Sequence, residues 1–555
     1  MAAQVCGDEM PVIEIEKNYL IKLCGIPEDE LREVLTLVKA PIDEEEGDMW
    51  KLEITPDRPD MFSAEGIARS VKGFLGMETG MPSYPAEETE IEVKASEVKA
   101  RPYIACAAVL NVEITPWLFI SLIQLQEKIH ETIGRRRKKV AIGVHDLDKI
   151  SPPFEYREVK PDEIAFVPLD KSEVMSLGEI LEKHEKGKEY RHILEGCERY
   201  PVILDKYGEI VSFPPIINAE RTRVTDRTKN LFIEVTGTDE RAVNHVLNIL
   251  VSNLCEVTGK IGKVKVNGRI FPDFSVEERE ISVEEVDRLL GLGLKEHEIA
   301  QILRRMRYSA MEMKGGKIKV FVPFYRVDIL HPVDVIEDVL IGYGINNLTP
   351  LLPKIPTPGK KHGKEKLCEK IREIMIGLGF QEVLTFMLSN KERMYAKMNL
   401  KWEEREGKVV EIENPMSREY TACRTWLLPN LMEFLSENTH RKYPQRIFEV
   451  GDCIRVNEQS ETSAEAVLKL ACAIAHDRAN LTEIKSVAEA VARELNASMV
   501  VKPFEHGSFI PSRCGEIYLN GKRCGIFGEI HPAVLENWKI EKPVIAMEIE
   551  VEQFV

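Results

Sequence analysis

A proline-rich segment near the middle of the chain limits most strongly how the chain can fold. It reads L-L-P-K-I-P-T-P-G-K-K-H-G (351–363), a composition that favours a semi-rigid linker over a helix or a strand. With 555 residues the chain is too long for one hydrophobic core, and we expect about three or four domains. The segment therefore separates a final domain, 364–555, from the domains that precede it.

Three further domains are predicted before this linker, and the fold class is α+β multidomain. An N-terminal α/β domain covers 1–97, of which 1–9 is predicted to be an unstructured extension. Mixed helix and strand patterns follow over 98–270, with a long helix predicted to begin near Asp239. The segment 271–350 contains two helix patterns, the first begun by a capping box at Ser282, and a hairpin with a Gly315-Gly316 turn, an order typical of a winged helix-turn-helix.

Composition and charge exclude several classes of protein. No apolar run approaches the roughly 18–20 residues of a membrane span, and the N-terminus lacks the pattern of a secretory signal. The 11 cysteines and 12 histidines show no zinc-site spacing, which indicates reduced thiols in a cytoplasmic protein. A net charge of −17 argues against an extended nucleic-acid surface. Any RNA contact is therefore local, and Arg135–Lys139 (R-R-R-K-K) is the best basic cluster, although such clusters are often solvated helix ends.

An acidic cluster lies in the stretch R-V-D-I-L-H-P-V-D-V-I-E-D-V (326–339). A helix that begins near Pro332 would place the last three carboxylates on one face, where they repel each other unless a cation lies among them. Mg²⁺, which prefers oxygen ligands, is the simplest such cation. An acidic first turn that complements the helix dipole is the alternative, and spacing alone leaves both open. The four acidic residues are Asp328, Asp334, Glu337 and Asp338.

Several motifs, spread over most of the chain, occur in a characteristic order. They are T-P-D-R-P-D-M-F-S-A-E-G-I-A-R (55–69), I-G-V-H-D-L-D (142–148), F-P-P-I-I-N-A-E (213–220), I-G-Y-G-I-N-N (341–347), E-N-P-M-S-R-E-Y-T-A-C-R-T-W-L-L-P-N-L (413–431), R-I-F-E-V-G-D (446–452) and G-E-I-H-P-A-V-L (528–535). Together they resemble the β subunit of phenylalanyl–tRNA synthetase in its archaeal/eukaryotic form. The bacterial form's added N-terminal RNA-binding barrel and C-terminal anticodon module are not expected here.

The resemblance implies an editing domain at 98–270, a winged-helix-like metal-binding module at 271–350 and a degenerate class II synthetase-like antiparallel-sheet domain at 364–555. The last is expected to be catalytically silent, because G-I-F-G-E-I (525–530) lacks the arginine of a G-x-G-x-x-R strand that would hold ATP phosphates. The implied partners are an α subunit, in a cytoplasmic heterotetramer of two α and two β chains, and tRNA(Phe). ATP and phenylalanine would bind through the α subunit, and no membrane is involved.

The resemblance also implies two sites. One hydrolyses mischarged Tyr–tRNA(Phe), which is useful because an apolar pocket rejects an added hydroxyl only about 10²-fold. At the other, the four acidic residues have the spacing of the family's Mg²⁺ ligands, which favours a structural Mg²⁺. The editing candidates are Ser212, Asn218, Glu220, Glu234, Thr236 and His145, with Asp146 and the apolar Leu204 as further candidates.

Two functions from other classes remain as alternatives. A winged-helix DNA-binding regulator would need a basic recognition helix, but K-E-H-E-I-A-Q-I-L-R-R-M-R (295–307) is basic only at its C-terminal end. A stand-alone aminoacyl-tRNA deacylase would keep the editing domain but would not copurify with a synthetase subunit. Copurification of a class II catalytic chain and tRNA distinguishes all three.

Overall fold

The computed structural model describes residues 10–353, 357–402 and 407–554. The chain forms two compact units, Met1–Leu351 and Leu352–Val555, which divide at the start of the predicted linker. The predicted N-terminal extension, 1–9, and the part of the linker at 354–356 lie outside the described residues. None of the helices in the described ranges is long and apolar enough to cross a membrane.

The first unit begins with a small antiparallel sheet, in the order β1-β3-β2, and three helices. Their bounds are β1 (Val12–Glu16), α1 (Lys17–Cys24), α2 (Glu28–Leu37), β2 (Ile42–Glu46), β3 (Met49–Glu53) and α3 (Ala64–Phe74). The Ser63 side chain caps α3 by accepting the Gly66 N–H, and α1 ends at Gly25 in the left-handed conformation. The motif at 55–69 therefore provides both the turn before α3 and its cap.

A ten-stranded mixed sheet follows, and it contains most of the predicted editing segment. The elements are β4 (Ala86–Ala95), β5 (Tyr103–Leu110), α4 (Pro116–Glu131), β6 (Val140–Asp146), β7 (Phe154–Val159), β8 (Ala165–Phe166), β9 (Met175–Ser176), α5 (Leu177–Lys183), α6 (Glu185–Tyr190), β10 (Tyr200–Leu204), β11 (Ile210–Phe213), β12 (Ile217–Asn218), β13 (Leu231–Gly237), α7 (Glu240–Cys255), β14 (Lys260–Val266) and β15 (Arg269–Phe271). The strand order is β12-β11-β10-β7-β4-β14-β5-β13-β6, with β15 paired to β14, while β8 and β9 form a separate pair.

This sheet and the N-terminal elements share one hydrophobic core, which runs from Ile13 to Tyr325. β4 lies inside the segment predicted as the N-terminal domain, 1–97, yet it pairs in parallel with β14 and β7. The predicted boundary at residue 97 therefore differs from the structure, because β4 completes the large sheet. Pairing between strands this distant in sequence leaves no local signal in the chain.

The end of the first unit has the element order expected of a winged helix-turn-helix. Its elements are β16 (Glu277–Ser282), α8 (Val283–Leu290), α9 (Glu296–Arg305), β17 (Ser309–Glu312), β18 (Lys317–Val322) and α10 (Pro332–Tyr343). A Ser282–Glu285 capping box starts α8, as predicted, and Gly315 and Gly316 connect β17 to β18 with positive φ angles. The three strands form an antiparallel sheet in the order β16-β18-β17.

The second unit is built on a seven-stranded sheet, in the order β19-β22-β23-β27-β26-β25-β24, and every pairing except β19 with β22 is antiparallel. Side chains alternate along β23, so that Leu470 packs under α11 and α14 while Ala471 faces α13. The elements are α11 (Gly363–Gly377), β19 (Gln381–Glu382), β20 (Leu388–Ser389), α12 (Lys391–Met394), β21 (Ala422–Cys423), α13 (Leu428–Glu437), β22 (Gln445–Val456), β23 (Ala464–Ala475), α14 (Leu481–Glu494), β24 (Met499–Pro503), β25 (Phe509–Leu519), β26 (Lys522–Ile530), α15 (Pro532–Asn537) and β27 (Val544–Glu550).

Candidate functional site

A cavity of about 430 Å³ lies beside the large sheet of the first unit. Side chains of α4 and β6 line it together with the β11–β12 segment. About half of the lining residues are apolar and the others are polar or charged, so the cavity offers both an apolar wall and groups that can form hydrogen bonds. Apolar lining residues include Leu122, Ile142, Val144, Phe213 and Ile216, and polar ones include Ser212, Asn218, Thr222 and Glu234.

The central polar contact in this cavity joins Glu234 and Ser212. Glu234 lies on β13, buried between β5 and β6, with only 2% of its surface exposed. The Ser212 hydroxyl donates a hydrogen bond of 2.8 Å to Oε1 of Glu234. Oε2 of Glu234 has no hydrogen-bond partner among the residues that the structure describes. A buried acceptor without a partner costs about 1–3 kcal/mol, so this oxygen is a strong acceptor site for a ligand's hydroxyl.

Gly143 provides the space for the Glu234 carboxylate. Strand pairing places Gly143 on β6 directly opposite Glu234. A Cβ at residue 143 would lie 2.3 Å from Oε1 of Glu234 and 2.7 Å from Nε2 of His145. Only glycine is therefore compatible with the observed position of this carboxylate.

His145 lies behind the cavity rather than in its lining. Its ring is fully buried, and Nδ1 lies 2.9 Å from the Thr222 hydroxyl. Because that hydroxyl donates to the Ala219 carbonyl, it accepts from His145, which places a ring proton on Nδ1. Nε2 faces Glu234 Oε1 at 3.8 Å, a distance too long for a hydrogen bond.

The structure brings together some of the predicted editing residues and separates others. Ser212, Asn218 and Glu234 line the cavity, and the Asn218 amide nitrogen lies 3.4 Å from the Val144 carbonyl. Thr236 is held instead by Arg101, whose Nε donates to its hydroxyl at 3.2 Å. The geometry gives no support to roles in this cavity for the other candidates, which make contacts elsewhere: Glu220 with Arg223, Asp146 with Thr228, and Leu204 within a neighbouring core cluster.

Sequence reasoning gave no role in this site to three residues that shape the cavity: Gly143, Thr222 and Arg137. Gly143 acts through its pairing with a strand some ninety positions away, which no local pattern reveals. The R-R-R-K-K cluster did signal Arg137, but only as part of a surface. Its side chain in fact lines the cavity.

Two members of the acidic cluster, Asp328 and Asp338, form ion pairs with Arg326. Nε of this buried arginine lies 2.8 Å from Asp328 Oδ1, and its Nη2 lies 2.7 Å from Asp338 Oδ2. The Tyr308 hydroxyl also donates to Asp338. Burial alone would raise the pKa of Asp328, but the guanidinium holds that pKa below its ordinary value. A guanidinium therefore occupies the position between these carboxylates that the sequence interpretation gave to a metal ion.

The other two carboxylates point to different partners. Glu337 contacts the Lys39 ammonium at 2.5 Å, and Asp334 accepts the backbone N–H groups of Leu330 and His331 at 2.8 and 2.7 Å. Helix α10 does place its three acidic positions at the predicted spacing, but each of their carboxylates contacts a different partner. In the described part of the chain, no three His, Cys, Asp or Glu side chains are grouped to hold a metal ion. This arrangement does not fit Mg²⁺, and the magnesium site stays a prediction from the sequence.

Three family models match the chain in succession. A B3/4 domain matches 117–249 and includes the cavity, and a tRNA synthetase B5 domain matches 279–345. A phenylalanyl tRNA synthetase beta chain CLM domain matches 348–551, the second unit. Fold and matches together define a multidomain chain of the aminoacyl-tRNA synthetase class.

Whole-length relatives narrow this class to one family. The phenylalanine–tRNA ligase beta subunit of Thermococcus sibiricus is 44% identical over 98% of this chain and 99% of its own length. That of Methanocaldococcus jannaschii is also 44% identical, over 98% of this chain and all of its own length. An N-terminal fragment of the Pyrococcus horikoshii phenylalanyl-tRNA synthetase β subunit, solved by crystallography, is 40% identical with a TM-score of 0.57, and covers 60% of this chain and 99% of that fragment. The chain belongs to the phenylalanine–tRNA ligase β-subunit family.

Proposed function

We propose that this chain works with an α subunit in the ATP-dependent attachment of phenylalanine to tRNA(Phe), and that its cavity hydrolyses mischarged Tyr–tRNA(Phe). Family membership over nearly the whole chain supports the first part. The proposed assembly is a cytoplasmic heterotetramer of two α and two β chains, with ATP and phenylalanine bound by the α subunits. The B3/4 match, which includes the cavity, is consistent with the second part.

The observation that carries the hydrolytic proposal is the buried Glu234 carboxylate with one oxygen unpaired by the described residues. Apolar walls hold the aromatic ring, and Oε2 accepts the phenolic O–H of a tyrosyl group. A phenylalanyl group offers no such donor and leaves Oε2 unpaired. This difference gives the site its selectivity, since unpaired buried polar groups penalise the substrate that lacks a partner for them.

Asn218 is the best candidate to position the attacking water. Its amide nitrogen faces the Val144 carbonyl, and its amide oxygen accepts no hydrogen bond from the residues in the described ranges. That oxygen can accept a hydrogen bond from water at the cavity. The water oxygen adds to the ester carbonyl carbon, the bond from that carbon to the ribose oxygen breaks, and one proton of the water passes to the ribose oxygen. Tyrosine and a tRNA with a free 3′-terminal hydroxyl are released.

The second unit is proposed to be a catalytically silent scaffold that contacts the α subunit. Its strand β26 contains G-I-F-G-E-I, without the arginine expected of an ATP-binding strand. Leu384, Phe386 and Met416 expose 80%, 74% and 102% of their surface. Large exposed apolar side chains favour a protein interface, and the class II partner chain is the proposed occupant.

A complex of this chain with its α subunit tests both parts. It should charge tRNA(Phe) with phenylalanine and release tyrosine from Tyr–tRNA(Phe), while the isolated chain should show no phenylalanine-dependent pyrophosphate exchange. Exchange by the isolated chain would contradict the scaffold proposal. Copurification with no synthetase chain, together with hydrolysis of aminoacyl esters, would favour the stand-alone deacylase.

A further inference from the structure

The R-R-R-K-K sequence forms a tight loop between α4 and β6, at the cavity. Arg135, Arg136 and Arg137 have φ angles of 48°, 51° and 62°, a region that residues other than glycine rarely adopt. Such a conformation is unfavourable for a residue with a side chain, and it persists only where the surroundings impose it. Here the buried Arg101 side chain donates to the Arg137 carbonyl at 3.0 Å and fixes the loop from beneath.

The Arg137 side chain connects this loop to the cavity wall. Its Nη1 donates to the carbonyls of Pro215 and Ile216 at 3.3 and 2.9 Å, and its guanidinium lies 4.4 Å from the ring centroid of Tyr190. Pro215 and Ile216 belong to the segment between Ser212 and Asn218, which lines the cavity. The loop is therefore held in a fixed position next to the candidate hydrolytic groups.

The remaining cations of the loop point away from the protein. Arg135, Arg136 and Lys138 are exposed, and within the described ranges their side chains make no hydrogen bond, ion pair or aromatic contact. Lys139, by contrast, pairs with Asp239 at 3.1 Å. In a chain with a net charge of −17, three adjacent cations without a carboxylate partner are a local positive patch. Such a patch beside a cavity favours an anionic ligand that approaches the cavity.

We propose that Arg135, Arg136 and Lys138 form a basic rim that binds backbone phosphates of the single-stranded 3′ end of a charged tRNA. The rim holds this strand so that its terminal aminoacyl ester enters the cavity, and Arg137 is the residue that positions the rim. This inference rests on the proposed hydrolytic function, since the ester is the group delivered. The contacts are with phosphates, so they depend on salt and carry little sequence preference.

The test compares two substrates of the same cavity. One is Tyr–tRNA(Phe), and the other is 3′-O-tyrosyl adenosine, an ester that lacks phosphates. The triple variant R135A/R136A/K138A, in complex with the α subunit, should lower kcat/KM for Tyr–tRNA(Phe) on the order of tenfold relative to the adenosine ester. The slope of log KM against log salt should fall by about 0.7 for each lost phosphate contact, or by about 2 for three contacts.

Two further variants separate charge from folding. Lys22, Lys94 and Lys265 are exposed lysines that make no ion pair with described residues and do not line the cavity, so changing all three to Ala should leave both substrates unaffected. The charge-retaining variant R135K/R136K should restore most of the lost selectivity for the tRNA substrate. Equal loss on both substrates in the triple variant, or failure of the charge-retaining variant, would mean that the loop acts only on cavity structure and would overturn the rim.

A binding measurement keeps the rim testable if hydrolysis itself is absent. Fluorescence anisotropy with a labelled single-stranded RNA ending in CCA should show tighter binding by the parent complex than by the triple variant. Equal binding would refute the rim, whatever the hydrolysis result. Preferential binding of a polyglutamate peptide would also refute it, because the patch would then serve an acidic protein surface. No hydrolysis of either ester by the parent complex would instead contradict the proposed function alone.

Discussion

Replacing Glu234 with alanine removes the carboxylate that we propose recognises the phenolic hydroxyl of a tyrosyl group. The carboxylate is buried, and its Oε2 has no partner in the described ranges. A hydrogen bond to a charged group contributes about 1.5–3 kcal/mol, and each 1.4 kcal/mol corresponds to about a factor of ten. Glu234→Ala should therefore lower kcat/KM for Tyr–tRNA(Phe) deacylation about 10- to 150-fold.

The assay measures release of tyrosine and of phenylalanine from preformed aminoacyl-tRNAs, by the parent complex and by the variant. Selectivity for Tyr–tRNA(Phe) over Phe–tRNA(Phe) should fall, because only the tyrosyl group uses Oε2. Charging with phenylalanine should be unaffected, since that reaction is assigned to the α subunit. Ser212→Ala is the matched control: it removes the hydrogen bond to Oε1 at 2.8 Å but keeps the Glu234 carboxylate and its Oε2. It should keep more of the selectivity than Glu234→Ala.

Two results would refute this reasoning. If Glu234→Ala slows release of tyrosine and phenylalanine by the same factor, the carboxylate acts on the shared ester chemistry or on cavity structure and not on the hydroxyl. If Ser212→Ala loses as much selectivity as Glu234→Ala, then the hydrogen bond at Oε1, and not the free Oε2, determines the selectivity for the tyrosyl group. Either result would assign recognition of tyrosine to another group in the cavity.

Three further predictions concern the packing and charge of the first unit. Gly143→Ala should abolish Tyr–tRNA(Phe) deacylation without affecting phenylalanine charging, because its Cβ would lie 2.3 Å from Glu234 Oε1; the control Gly377→Ala, where a Cβ meets nothing within 4 Å, should leave deacylation intact. Asp338→Asn should destabilise the chain by about 3 kcal/mol, because it leaves part of the charge of buried Arg326 uncompensated, whereas Glu337→Gln at an exposed pair should cost less than about 1 kcal/mol. A Mg²⁺-dependent rise in melting temperature that both variants lose would contradict the ion-pair arrangement and support the magnesium site. Burial holds the pKa of His130 well below its ordinary value. The unfolded chain therefore binds the extra proton, and stability should fall by up to about 1.4 kcal/mol per pH unit below about pH 6.5. His130→Gln, whose amide can still accept the Ile142 N–H, should flatten the dependence of melting temperature on pH between 5 and 7, and equal slopes would show that His130 is not its source.

Local patterns in the sequence predicted several of the individual elements. The Ser282 capping box, the Gly315–Gly316 hairpin and the helix after Asp239 all occur where the sequence placed them. Each depends on interactions between residues a few positions apart, which a single sequence shows directly. The domain boundary at residue 97 depends instead on the parallel pairing of β4 with β14, across about 170 residues. Pairings of this kind are selected by the whole core, so the boundary could not be predicted locally.

The two candidate sites show the same distinction at the level of single side chains. The family resemblance made Ser212 and Glu234 candidates for one editing site, but the sequence could not show their hydrogen bond, because that contact requires β11 and β13 to bring their side chains to one cavity. For the acidic cluster, the cation is the first residue of the R-V-D sequence itself. The Arg326 guanidinium contacts Asp328, two residues later, and Asp338 on the next helix. Spacing on an ideal helix gives the backbone positions of the acidic residues, but it does not show which cation their carboxylates contact. The Arg326 guanidinium and Mg²⁺ would compete for the same carboxylate oxygens. Which cation stabilises the cluster therefore depends on the free energy of burying Arg326 compared with that of binding Mg²⁺. The dependence of melting temperature on Mg²⁺, compared between the parent chain and the variants Asp338→Asn and Glu337→Gln, shows which cation these carboxylates bind.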